Sequence, residues 1–133
     1  MERRDVVEHA LQRRAVLQEV FGGRATSTDV CDASVYLQRA ALAYGVRTER
    51  TCPICRRSPL WEVPWVYGDA LGDANGTSRS IKQVRALAAR TPDFAVYEVE
   101  VCQECGWNHL VRTWQTGTPG MPPARKSRRE SGT

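Results

Sequence analysis

Histidine, methionine and phenylalanine each occur only twice in this chain, and no apolar run approaches the length that crosses a bilayer. There is no Ser-His-Asp arrangement and no paired-carboxylate motif. Gly68, Gly72 and Gly76 lack the lysine and the following helix that a phosphate-binding loop requires. The N-terminal run Met1-Glu2-Arg3-Arg4-Asp5 is charged, without the apolar central segment of an export signal. These absences argue against a membrane protein and leave no small-molecule substrate or catalytic residue in view. They lead us to expect a cytoplasmic, non-enzymatic protein.

What is present is cysteine in a telling pattern. Of five cysteines, four form two C-x-x-C turns, Cys52-Pro53-Ile54-Cys55 and Cys102-Gln103-Glu104-Cys105, the second followed by Gly106. Within such a turn two sulfurs approach one metal from neighbouring backbone positions, and two turns supply the soft ligands of a closed tetrahedral zinc site. Cys52, Cys55, Cys102 and Cys105 are therefore expected to hold one structural zinc ion. A catalytic zinc would keep a position open for water, whereas four cysteines close the shell. A redox reading treats each C-x-x-C as a disulfide-forming pair, but thioredoxin-like chemistry places that motif at the start of a helix, and here each joins two extended segments.

Two further donors lie outside this set. His109 falls on the strand leaving the second knuckle and is expected to be a satisfied surface or hydrogen-bonded imidazole. Cys31 lies beside Val30 in a helical region and reads as a small buried hydrophobe, with no histidine close in sequence to activate it.

A chain of 133 residues can bury only a modest core, so the metal must supply part of the stability. Structural zinc contributes on the order of 10 kcal/mol in finger-type peptides. The formal charge is +4, of which +3 belongs to the tail after Thr118, through Arg125, Lys126, Arg128 and Arg129 against Glu130. Four thiolates around one zinc ion would make the body slightly negative, so overall basicity does not mark a nucleic-acid surface.

Along the chain, apolar Val6, Val7, Ala10, Leu11, Leu17, Val20 and Phe21 predict a helix over 4–21 ended by Gly22 and Gly23, with Arg13 and Arg14 interrupting its apolar side. Residues 26–31 offer a capped short helix. Leu37, Ala40, Ala41 and Tyr44 mark another helix between Ser34 and Gly45. Residues 1–45 thus read as a helical unit, in outline resembling a helix-turn-helix.

From Arg47 the pattern turns to strands, over 47–51, 60–67, 94–101 and 107–115, which place each knuckle at a hairpin tip. Between the hairpins, 68–80 reads as a loop, and Ile81, Val84, Leu87 and Ala88 as a short helix near 80–90. That insertion explains the 46 residues separating Cys55 from Cys102. Residues 118–133, rich in proline and basic side chains, read as a disordered basic tail. The expected fold is α+β: a helical unit (1–45) followed by a four-stranded antiparallel zinc ribbon with a helical insertion (46–117).

Arg56 and Arg57 follow the first knuckle, and Trp61, Trp65 and Trp107 lie on ribbon strands. Arginine with aromatic rings can hold single-stranded nucleic acid, so these five residues are the expected partner surface, although the aromatics could instead cover the core. The run Arg50-Thr51-Cys52-Pro53-Ile54-Cys55-Arg56, the segment Val66-Tyr67-Gly68-Asp69 and above all 99–110, VEVCQECGWNHL, resemble the bacterial domain-of-unknown-function family 5318; Val30-Cys31-Asp32-Ala33 and 36–41 are similar to its N-terminal half. The resemblance implies a small cytoplasmic zinc-ribbon protein and brings no activity. By analogy with zinc ribbons at large, we expect an accessory factor docking on nucleic acid, RNA polymerase or the ribosome. The alternatives are a protein–protein adaptor without nucleic-acid contact and a zinc-thiolate redox sensor.

Overall fold

The computed structural model describes residues 1–118. The expectation of a disordered tail therefore lies, from residue 119 onward, outside the described residues. The elements run β1 (Arg4–Glu8), α1 (Ala10–Phe21), α2 (Ser27–Val30), α3 (Val35–Tyr44), β2 (Val46–Thr51), β3 (Pro59–Tyr67), a 3-10 segment (Asp69–Ala74), β4 (Thr77–Ser78), α4 (Ile81–Ala88), β5 (Phe94–Cys102) and β6 (Asn108–Thr116). The chain is α+β, built on an antiparallel sheet ordered β1-β6-β5-β3-β2, with β4 pairing β3.

Four strands fall where the alternation placed them, and two were not expected. The predicted helix over 4–21 is corrected at its start, because Arg4–Glu8 form β1, paired to β6 through Val7↔Thr113 and Glu8↔Arg112. Val6 and Val7 are β-branched and satisfy a strand as readily as a helical stripe. What decides is a partner strand at the far end of the chain, which local periodicity cannot show. The helix starts only at Ala10. Residues 1–45 are thus not all helical, and the sheet has six strands rather than four.

The shorter helices follow their caps. The Thr26 hydroxyl accepts from Asp29 N while the Asp29 carboxylate accepts from Thr26 N, closing a capping box over α2. Ser34 caps α3 by accepting from Leu37 N at 3.0 Å. Ser80 and Gln83 form a second capping box at the start of α4.

Register assigns the two faces of the sheet. In β3 and β5, Trp61, Val63, Trp65, Val99 and Val101 lie on one face, where α3 covers them with Leu37 and Ala41. On the other face, α4 packs Val84, Leu87 and Ala88 against Val66, Phe94, Val96 and Trp114. Nearer the knuckles on that face, α1 brings Val16 and Leu17 onto Leu60, Cys102 and Trp107. The half-buried positions of α1 are Arg13, Val16, Leu17 and Val20, a helical i, i+3, i+4, i+7 stripe. Arg13 does not interrupt the buried side, as its charge had indicated. It belongs to it.

Candidate metal centre

The two knuckles are built alike. In the first, Cys52 N–H donates to Ser58 O at 2.9 Å and Arg56 N–H to Cys52 O at 3.1 Å. In the second, Cys102 N–H donates to Trp107 O at 2.8 Å and Gly106 N–H to Cys102 O at 3.1 Å. Each first cysteine's sulfur also accepts a backbone N–H from its own turn, from Ile54 and from Cys105 respectively, both at 3.4 Å. The residue after each second cysteine must turn back with positive φ. Gly106 does so at +89°, and Arg56, rarely for a side-chain-bearing residue, at +58°.

These turns bring four sulfurs to one place. The Sγ atoms of Cys52, Cys55, Cys102 and Cys105 all lie within 4.8 Å of one another. Cys52 and Cys105 stand 3.6 Å apart, and Cys55 and Cys102 3.7 Å apart. A tetrahedron with metal–sulfur bonds of about 2.3 Å has edges of roughly 3.8 Å, so this spacing fits a four-thiolate shell. All five cysteines are free thiols. The cluster could hold one metal ion.

Burial raises the thiols of Cys52 and Cys105 to about 12. Burial also works against ionisation of Cys55, but the N–H groups of Arg57 and Ser58 favour its thiolate and bring it down to about 7. The site thus holds thiols that a metal must deprotonate in order to bind.

The surroundings clamp the knuckles together. Glu104 of the second knuckle accepts from Arg57 Nε at 2.7 Å and from Ser58 Oγ at 2.8 Å, both just after the first knuckle. These two bonds hold the Glu104 carboxyl below its ordinary range. Gln38 of α3 donates to Gln103 O at 3.2 Å and its own carbonyl accepts from Gln103 Nε2 at 2.9 Å. Ala33 N–H donates to Gly106 O at 2.9 Å, and Asn108 Nδ2 to Asp32 Oδ1 at 2.9 Å. The segment between α2 and α3 is thereby fastened to the second knuckle.

Of the residues expected at a partner surface, Arg56 and Arg57 are exposed beside the first knuckle. Arg56 sits over the Phe21 ring at 6.0 Å, and Arg57 is engaged by Glu104. Trp61 and Trp65 are half-buried on the face that α3 covers, Trp65 against Tyr36 at 5.9 Å between ring centroids. Trp107 is fully buried under α1 on the opposite face, so it does not offer its ring to a partner. The five residues do not form one surface. His109 is stacked beside Trp107 and its Nδ1 lies 2.7 Å from Leu110 O. It is a hydrogen-bonded strand residue, outside the four-sulfur cluster.

Periodicity gave no warning of two buried carboxylates beside the centre. Glu98 and Glu100 share the face of β5 with Phe94 and Val96. Glu100 accepts from Trp107 Nε1 at 2.7 Å, Arg13 Nε at 2.7 Å and Arg50 at 2.9 Å, and Arg50 also pairs Glu62. Burial would raise the Glu100 carboxyl, but these three donors hold it below its ordinary value. Glu98 repeats the arrangement with Trp114 Nε1 and Arg112, and Arg3 lies over the Trp114 ring. The signal in the sequence was a pair of glutamates at alternate positions on an otherwise apolar strand face.

An antiparallel sheet carries a C-x-x-C knuckle at each of two hairpin tips, and the knuckles converge on one four-sulfur cluster that could hold a metal, an arrangement like that of a zinc ribbon. The chain belongs to the family of unknown function DUF5318, whose model matches residues 1–131. It is 43% identical over 127 residues to uncharacterised proteins of Mycobacterium bovis and of Mycobacterium tuberculosis strain H37Rv, covering 96% of this chain and 91% of each relative. No solved structure matches the chain. Among the described residues no helix is long and apolar enough to cross a membrane.

Proposed function

We propose that this is a non-enzymatic protein organised by one structural zinc ion on Cys52, Cys55, Cys102 and Cys105, and that it acts by docking. The observation that carries the reading is the convergence of four thiols from two hairpin tips at tetrahedral spacing. Such a shell leaves no position for a reacting water. The buried carboxylates Glu98 and Glu100 are each held by an arginine and an indole N–H, and so are not free to act as bases. The metal is a fastener, and function belongs to the surfaces it positions.

Of the docking partners, a protein surface is favoured over nucleic acid. The stacking platform that single-stranded nucleic acid needs is depleted, because Trp107 and Trp114 are buried and Arg13, Arg50, Arg57 and Arg112 are paired with glutamates. Exposed apolar side chains instead recur along α3 and into β2, at Val35, Tyr36, Leu42, Tyr44 and Val46. An assembly such as RNA polymerase or the ribosome presents protein surfaces that would suit them.

Capture on the tagged, zinc-loaded full chain tests this. Partners held through protein contacts should persist after nuclease and change little between about 50 and 500 mM salt. Loss under both treatments would return the reading to nucleic acid.

A further inference from the structure

The fifth cysteine is the thiol that a four-thiolate shell leaves over. Cys31 Sγ lies 3.3 Å from Cys105 Sγ, closer than the 3.6 Å and 3.7 Å contacts between the two knuckles. The approach is built into the fold. Cys31 follows the last turn of α2, and a Cβ at Gly106 would meet the Cys31 carbonyl oxygen at 3.1 Å, so the chain after α2 lies directly against the second knuckle. A surface cavity of about 390 Å³ lined by Ser27, Thr28, Cys31, Ile54, Cys55 and Cys105 opens onto this pair. Cys31, Cys55 and Cys105 are half-buried, whereas Cys52 and Cys102 are buried, so the open side of the cluster is the side where Cys31 meets Cys105.

We propose that Cys31 is the resolving thiol of a redox switch in the metal centre, forming a disulfide with Cys105 when a hydroperoxide enters this cavity. The inference rests on the metal-centre reading above. In the first step Cys105, whose proton is displaced when the centre is loaded with metal, attacks as thiolate the outer oxygen of the hydroperoxide. The O–O bond breaks, an S–O bond forms, and one proton from solvent completes an alcohol or water, leaving Cys105 as a sulfenic acid. In the second step the Cys31 sulfur attacks the sulfenic sulfur; the S–S bond forms, and the displaced hydroxyl leaves as water with the Cys31 proton. Each sulfur gives up one electron and the hydroperoxide takes two. Cys105 is lost to the shell, three thiols remain, and the metal is released. A thiol reductant reverses the change. Reaching a bonded separation of about 2.05 Å requires the sulfurs to close from 3.3 Å by a little over an ångström.

The experiment uses the full chain, its zinc content measured first. Hydrogen peroxide is added, released zinc is followed with a chromogenic chelator, and disulfides are mapped by mass spectrometry after free thiols are blocked. Expected is a Cys31–Cys105 crosslink rising in step with zinc release, with zinc binding recovered after dithiothreitol. In Cys31→Ser and Cys31→Ala, recoverable binding should fall at least fivefold while Cys105 accumulates as sulfinic acid. Protein that carries zinc but keeps it under peroxide overturns the inference. So does oxidised protein whose disulfides join only knuckle cysteines while Cys31 stays free. Protein with no zinc at the outset overturns the metal-centre reading itself. The wild-type map decides alone if neither variant folds.

Discussion

The equivalent position after each second cysteine offers a test at the scale of single residues. Gly106 needs positive φ and has a backbone oxygen 3.1 Å from where a Cβ would stand, so Gly106→Ala should cost about 1 to 3 kcal/mol in denaturant unfolding of the zinc-loaded protein. Arg56 occupies the same conformation with a side chain. Arg56→Gly is expected to leave stability unchanged or raise it by up to about 1 kcal/mol, measured the same way. Glu100 makes a second test. Glu100→Gln would leave Arg13 without its counter-charge and Arg50 with Glu62 alone, beside a fully buried side chain, and should cost about 1 to 3 kcal/mol. Because its folded-state value is depressed below 4.5, its contribution is complete above that pH and is lost as pH falls through the folded value. Acid unfolding followed by circular dichroism should therefore be less steep in Glu100→Gln.

At the scale of elements, the sequence was most readable where a pattern is local. The alternation over β3 and β5, the Ser34 cap and the glycine ending α3 each depend on a few neighbouring residues, and all appear in the fold. The four clustered cysteines were legible for the same reason, since C-x-x-C spacing is itself a geometric statement. What could not be read depends on register between distant segments. β1 is a strand because β6 runs beside it, and Arg13 turns inward because Glu100 lies on the facing strand. Whether Trp107 faces a partner or the core stays open in the sequence, because a strand pattern does not say which face a helix will cover. The place of Cys31 beside Cys105 likewise depends on the loop before α3 folding against the second knuckle. At this scale, weakening the clamp between knuckles with Glu104→Ala should speed zinc loss to a competing chelator while leaving the metal-to-chain ratio unchanged, since Glu104 ties the turns together through the Arg57 and Ser58 side chains and is not itself one of the four clustered ligands.

For the whole molecule, the structural metal proposed above would make metal binding and folding one equilibrium. The knuckle cysteines belong to the buried cluster that α1 covers, so without such an ion unpaired thiols, or repelling thiolates, would stand at the junction of both hairpins. With Cys52 and Cys105 protonated at neutral pH, zinc loading should release at least two protons per chain, read from calorimetric titrations in buffers of different ionisation enthalpy. Affinity should accordingly weaken as pH falls. The most direct measurement is the metal content of the full chain purified under reducing conditions, with far-ultraviolet circular dichroism before and after chelation. One zinc per chain is predicted, with a cooperative loss of structure on chelation and a Cys102→Ser variant that neither holds the metal nor folds stably. A native chain that carries no metal, or one that keeps its cooperative fold after the metal is stripped, would contradict a structural centre on these four thiolates.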